Sequence, residues 1–355
     1  MATRAAPVNV ERAAEERAQP RGGLRFDAAM VVLCLWFVGG AFLDAWAHNH
    51  LSSTLETFFT PWHGVLYSGF TAAAGFLVWT AGRNHARGHP WRRSVPRGYE
   101  LSLLAVPLFA AGGVGDMLWH LAFGIELGID AALSPTHLWP AIAAALFVSG
   151  PLRAAWHRPG AAPRFVELLP MLLSMALTLS TMTLISQFAH PLVRTLASDN
   201  SGASGDLALA MGVVSVVLQA AVLMGLVLLV IRRWALPPGS LALVFTVNAT
   251  LLSFMRDTYV MILVGAFAGA TADILIALLR PSLARPQALR LFAAAVPAIY
   301  YLLYFVALMA TDGISWTVHA WAGAVGLAAV AGWLLSYLLL PPSVPGEGTE
   351  RSGDW

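Results

Sequence analysis

The 355-residue chain has no lysine, a single cysteine and little charge of either sign. Cys34 lies inside an apolar run, so neither a disulfide framework nor a thiolate metal cluster can be built from it. Asp, Glu, Lys and Arg make up 11% of the residues, against about 25% in soluble domains. P-loop, dinucleotide-binding, HExxH, Ser–His–Asp and haem-attachment CxxCH patterns are all missing, and no nucleic-acid partner is expected. What is abundant is apolar surface: 58% of residues are hydrophobic and mean hydropathy is +0.68. These residues form long runs separated by short polar joints. That is the pattern of an all-α bundle of membrane-spanning helices in a lipid bilayer, not of soluble domains.

A span needs about 20 mostly apolar residues. Ten are read, near 27–47, 62–82, 99–121, 135–155, 165–189, 206–232, 239–256, 258–280, 288–311 and 315–340. Only Arg256 and Asp257 separate the seventh from the eighth, and the two are read as a local ion pair in a tight turn. The transmembrane domain is 27–340. Residues 1–26, polar and rich in Arg and Glu, lack the apolar core and cleavage site of a signal peptide, so a disordered cytoplasmic tail is expected there. Residues 341–355, rich in Pro, Gly and Ser, are read in the same way.

Arginine sets the expected orientation. It fills the N-terminal tail and every even-numbered connection: Arg83 to Arg97, Arg153 to Arg164, Arg232 and Arg233, and Arg280 to Arg290. The odd connections contribute only Arg194 and Arg256. This alternation predicts five helical hairpins in the cell membrane, with both termini in the cytoplasm and each hairpin turn outside.

The outer turns of the first two hairpins, 27–82 and 99–155, carry one pattern twice. The first reads Gly40-x3-Asp44-x3-His48, then Glu56-x3-Thr60-Pro61-Trp62-His63. The second reads Gly112-x3-Asp116-x3-His120, then Asp130-x3-Ser134-Pro135-Thr136-His137, with two residues inserted between the halves. Six typed positions recurring in order predict a duplicated hairpin. Residues four apart share a helix face, so each Asp projects with the His that follows it. Gly40 and Gly112 extend that stripe and permit close helix approach. Thr60 and Ser134 suit the N-cap and the prolines the first helical position, which places His63 and His137 in the first turn of the returning helix.

Imidazole and carboxylate without sulfur suit Cu or Zn, with Fe or Mn as further possibilities. The expected metal ligands are Asp44, His48 and His63 with Asp116, His120 and His137, forming one shared dinuclear site or two mononuclear ones. Glu56, Glu126 and Asp130 are candidate bases. A metal-free Asp–His clamp and a proton relay are the competing readings. The tryptophans Trp46, Trp62 and Trp119 stand near span ends, as interfacial anchors do, and would also wall the site.

Other ionisable groups are secondary candidates. His50 is a further ligand or a solvated loop residue. His190 and Arg194, one turn apart, are read as a surface pair or as holders of an anion. Asp273, toward the cytoplasmic end of the eighth span, is a structural group or part of an ion path. Asp312 and His319 echo the Glu56-to-His63 offset without its Ser-Pro element.

The stretches Asp44-Ala-Trp-Ala-His48-Asn-His50, Phe58-Phe59-Thr60-Pro61-Trp62-His63 and Gly115-Asp116-Met117-Leu118-Trp119-His120 resemble those of bacterial multi-span membrane proteins of unknown function. The two Asp-x3-His elements with their later His are also loosely similar to the metal motif of the copper membrane monooxygenase C subunit. Here the gap to the later His is longer and the spans are more numerous. The likeness implies a copper-type ligand pattern and carries no activity with it. Function is therefore expected in one of three classes: a membrane metalloenzyme, a metal-ion transporter or metal-handling protein, or a structural or sensory membrane protein with a metal-free clamp.

Overall fold

The computed structural model describes residues 19–20, 22–51, 59–124, 128–158 and 164–340. Among these residues every regular element is helical, apart from an isolated bridge between Ser282 and Arg285. The α-helices in chain order are α1 (Leu24–His50), α2 (Pro61–His85), α3 (Glu100–Phe123), α4 (Ile129–Leu133), α5 (Pro135–Val148), α6 (Gly150–Trp156), α7 (Phe165–Ile185), α8 (Gly205–Ile231), α9 (Ser240–Phe254), α10 (Val260–Leu279), α11 (Pro286–Ala310) and α12 (Val318–Leu339).

Nine helical stretches among the described residues are long and apolar enough to cross a membrane, with α5 and α6 together forming the fourth. The chain fits a multi-pass membrane protein. The expected seventh span, 239–256, is the exception. Helix α9 has 15 residues, about 22 Å at 1.5 Å per residue, against a hydrocarbon core of about 30 Å. Pro237 and Pro238 stand before its start, and the chain turns sharply after it, where Asp257 adopts φ +56°.

Within residues 22–194 and 243–266, which form one compact unit, α1 packs along α2, α3 along α5, and α7 against both α1 and α5. The α1–α2 contact is backbone to backbone. A Cβ on Gly40 would stand 2.7 Å from Leu66 Cα, and one on Gly69 would stand 2.7 Å from Phe37 Cα. Such approach is open only to glycine. The core between the hairpins is aromatic: Phe37 stacks edge-on to Phe109 at 5.0 Å between centroids, and Phe70 lies 4.3 Å from Phe109. At the other end of the hairpins Asp27 is buried. It accepts a hydrogen bond from the Tyr99 hydroxyl at 2.8 Å and pairs with Arg158. This ties the start of α1 to the segments before α3 and after α6.

The second unit, 195–242 with 267–355, has its described core in α8, α11 and α12, which pack on one another. Tyr300, Tyr301, Tyr304 and Phe305 of α11 are buried there. Gly332 of α12 lies against the Ala293 carbonyl, where a side chain has no room.

Candidate functional site

The two Gly-x3-Asp-x3-His stripes end α1 and α3, and the later histidines open α2 and α5. Thr60 is the N-cap of α2, its hydroxyl accepting the His63 N–H at 3.1 Å, and Pro61 is the first helical residue. This fixes His63 facing the last turn of α1. Ser134 occupies the N-cap position of α5, but its hydroxyl pairs with Thr136 at 2.9 Å and makes no cap bond. Its carbonyl takes the His137 N–H at 3.0 Å instead. The two-residue insertion of the second hairpin accompanies the one-turn helix α4.

Each hairpin gathers one carboxylate and two imidazoles. Asp44 Oδ2 lies 3.6 Å from His48 Nε2 and 3.3 Å from His63 Nε2. Asp116 Oδ1 lies 3.4 Å from His120 Nε2 and 3.3 Å from His137 Nε2. Within each triad, donor atoms fall within 4.8 Å of one another, close enough to share a metal ion.

Two observations test that fit. Charge-assisted hydrogen bonds are shorter than these separations, about 2.7–2.9 Å. Ligands held about 2.1 Å from an ion at near-tetrahedral angles stand roughly 3.4 Å apart, which is the Asp-to-His spacing observed. The second observation is one of proton accounting. His137 Nδ1 lies 2.6 Å from the Ala131 carbonyl, and His120 Nδ1 lies 3.3 Å from that of Gly124. A carbonyl only accepts, so it holds a ring proton on Nδ1 and directs Nε2 of both rings toward Asp116. In the neutral tautomer that Nε2 is a lone pair, the form in which imidazole ligates a metal ion. Asp44 Oδ1 and Asp116 Oδ1 are, besides, buried without a hydrogen-bond partner among the described residues, a cost that a cation relieves.

Both triads line the same cavity of about 330 Å³. Its walls are otherwise mostly apolar, including Phe37, Leu66, Phe109, Leu184 and Phe188. Tyr67, one turn beyond His63 on α2, lines it too, and both Asp44 and Asp116 act electrostatically on its hydroxyl. Arg194 and Arg256 complete the lining. Tyr67 was legible in principle, since a residue four after His63 shares its face.

The remaining candidates lie elsewhere. His50 presents Nδ1 to the Trp46 carbonyl and Nε2 to Asp257 Oδ2, both at 2.8 Å. Asp257 also accepts the Tyr259 hydroxyl at 2.7 Å, and these two partners hold its carboxyl below the usual range. The expected Arg256–Asp257 pair is therefore absent among the described residues, because the left-handed turn at Asp257 directs its carboxylate to His50 and Tyr259. His190 is buried, not at the surface, and burial pushes its imidazole down to about 3, so it is neutral. Its Nδ1 accepts the Leu192 N–H at 3.2 Å.

Asp273 accepts three backbone N–H groups, from Gly239 at 3.1 Å and from Leu241 and Ala242 at 3.0 Å each. It thereby satisfies the N-terminus of α9. Asp130, in α4, is exposed and outside the cavity lining, whereas its neighbour Ala131 is within it. Glu56 and Glu126 lie outside the described residues. Asp312 and His319 are exposed and belong to neither triad. Among the described residues no tryptophan lines the cavity; Trp46 stacks on His50, and Trp119 lies tilted against Phe123.

Comparison with protein-family models, with curated proteins and with solved structures gives no match.

Proposed function

We propose that this chain is a membrane metalloenzyme, oxidative or hydrolytic, with two mononuclear His₂Asp centres opening on one cavity. Copper or zinc is the expected occupant, and a 2-His-1-carboxylate set with an open position suits non-haem iron as well. The observation that carries this reading is the shared cavity, in which two triads at ligand-to-ligand spacing face an apolar space large enough for a small molecule. A three-donor set leaves a further coordination position for a substrate. A bound ion supplies Lewis acidity or redox chemistry toward water or oxygen. The protein's own part at the second triad is to orient the His120 and His137 Nε2 atoms through Nδ1 contacts to backbone carbonyls. It also keeps water out with the Phe37–Phe109 wall and offers the Tyr67 hydroxyl as a proton donor or acceptor between the carboxylates. Glu56 and Glu126, on the connecting segments, are candidate bases.

In this reading the chain crosses the cell membrane ten times, the short α9 included through local thinning of the bilayer, with both termini cytoplasmic and the triads toward the extracytoplasmic face. The two hairpins descend from one duplicated unit. The copper-type ligand pattern of the monooxygenase C subunit agrees with the donor set. A transporter needs a polar route inward, and Asp273, expected on such a route, has structural partners, as does the buried Asn248. Asp273 is engaged by backbone amides, and Asn248 donates to Ser180 at 3.2 Å and to Thr183 at 2.9 Å. A metal-free clamp needs shorter carboxylate–imidazole bonds than the 3.3–3.6 Å separations.

The test is an exogenous ligand. Azide added to Cu(II)-loaded protein is expected to bring up a charge-transfer band and shift the copper resonance. A copper spectrum unmoved by saturating azide would mean closed, structural centres and would contradict the enzyme reading.

A further inference from the structure

Among the described residues that line the cavity, Arg194 and Arg256 form the one strongly basic feature that the triads do not use. Arg194 follows α7 in the chain and is half-buried. Arg256 is exposed as a residue and follows α9. Both line the space that Asp44, His63, Asp116 and His137 also line. Neither guanidinium has a carboxylate partner among the described residues, and the carboxylate next in sequence, Asp257, is engaged by His50 and Tyr259. The two cations also feel each other: burial first, and then the Arg194 charge, pull Arg256 below the usual guanidinium range. Like charges held close at a partly desolvated wall cost stability unless an anion sits between them.

We propose that the Arg194–Arg256 end of the cavity binds the oxyanion group of a small amphiphilic ligand, a carboxylate or phosphate ester, whose apolar part lies along the Phe37–Phe109 wall toward the triads. The guanidinium fork matches such oxygens two at a time, and a volume of about 330 Å³ suits a small ligand. The inference names the substrate class of the cavity on which the metalloenzyme reading rests, but it depends on the two arginines and not on the metal.

The experiment is calorimetric titration of detergent-purified protein, metal-free and metal-loaded, with hexanoate, hexyl phosphate and, as an uncharged control, hexanol. Wild type is expected to bind one or both anions and not hexanol. Arg194→Gln and Arg256→Gln should each weaken binding by about tenfold, with melting temperature and metal content close to wild type. Arg194→Lys should recover part of the loss. In a parallel arm, native mass spectrometry from nanodiscs of phosphatidylglycerol or phosphatidylcholine asks whether a retained lipid is the source of the anion. Arginine-dependent retention of phosphatidylglycerol supports the same site with a lipid headgroup in it. Equal binding of hexanol, or anion affinities unchanged in both glutamine variants with no arginine-dependent lipid, overturns the proposal. Anion binding without metal uptake would leave this inference standing and remove the metal reading. Metal uptake with neither anion binding nor lipid retention would do the reverse.

Discussion

His190 illustrates what burial does to a single titratable group. Its imidazole is buried outside the spans, and burial pushes it down to about 3, whereas in the unfolded chain it titrates near 6.5. Between those values the unfolded state binds a proton that the folded state refuses, so stability falls as pH drops through that window. From pH 7 to pH 5 the loss attributable to His190 is about 2 kcal/mol. Melting curves at the two pH values should show a clearly smaller acid-induced drop for His190→Gln than for wild type, and equal drops would mean that the ring is hydrated. The Asp–His triads were legible at this scale because six residue types recur at fixed offsets, and helix geometry turns offset four into a shared face. Arg256 was not. Adjacency in sequence suggested a pair with Asp257, but the left-handed turn sends that carboxylate to His50, some two hundred positions away. No local pattern encodes such a partner.

Between elements, the contact that positions the first triad is the one between α1 and α2. Gly40 lies one turn before Asp44 and rests on the backbone of Leu66, three residues past His63. A methyl group there must push the helices apart. Gly40→Ala should lower stability by about 1–3 kcal/mol and weaken metal at the first triad while sparing the second. Gly39→Ala, whose Cβ meets nothing within 4 Å, should leave both unchanged. Thermal melting with metal analysis compares the two, and a Gly40→Ala protein that keeps wild-type stability and both metals would sink this account of the stripe. The glycine positions were readable from sequence, and so were most span limits, since hydropathy alone sets them. The length of α9 was not: apolar composition continues to Met255, but the flanking prolines and the turn at Asp257 cut the helix to 15 residues.

At the scale of the whole molecule, the arginine alternation and the proposed siting of both triads in outer turns make one statement about sidedness. The native thiol Cys34 is buried, so single cysteines introduced elsewhere report without background. In intact cells a membrane-impermeant maleimide should label Asn200→Cys, in the connection after α7, and should label Arg87→Cys, after α2, only once the cells are lysed; both positions are exposed. The opposite labelling would invert the topology. All-helical architecture and a membrane location were legible from composition. That both triads face one cavity was not, because it depends on how two hairpins pack around Phe37, Phe70 and Phe109.

The claim at the centre is that each triad holds an ion. Elemental analysis of detergent-purified protein, loaded with copper or zinc and freed of excess, measures it directly. The expected result is two ions per chain in wild type, one in Asp44→Asn or Asp116→Asn, and none in the double variant. Wild-type protein that is folded, loaded and still free of stoichiometric metal would contradict it.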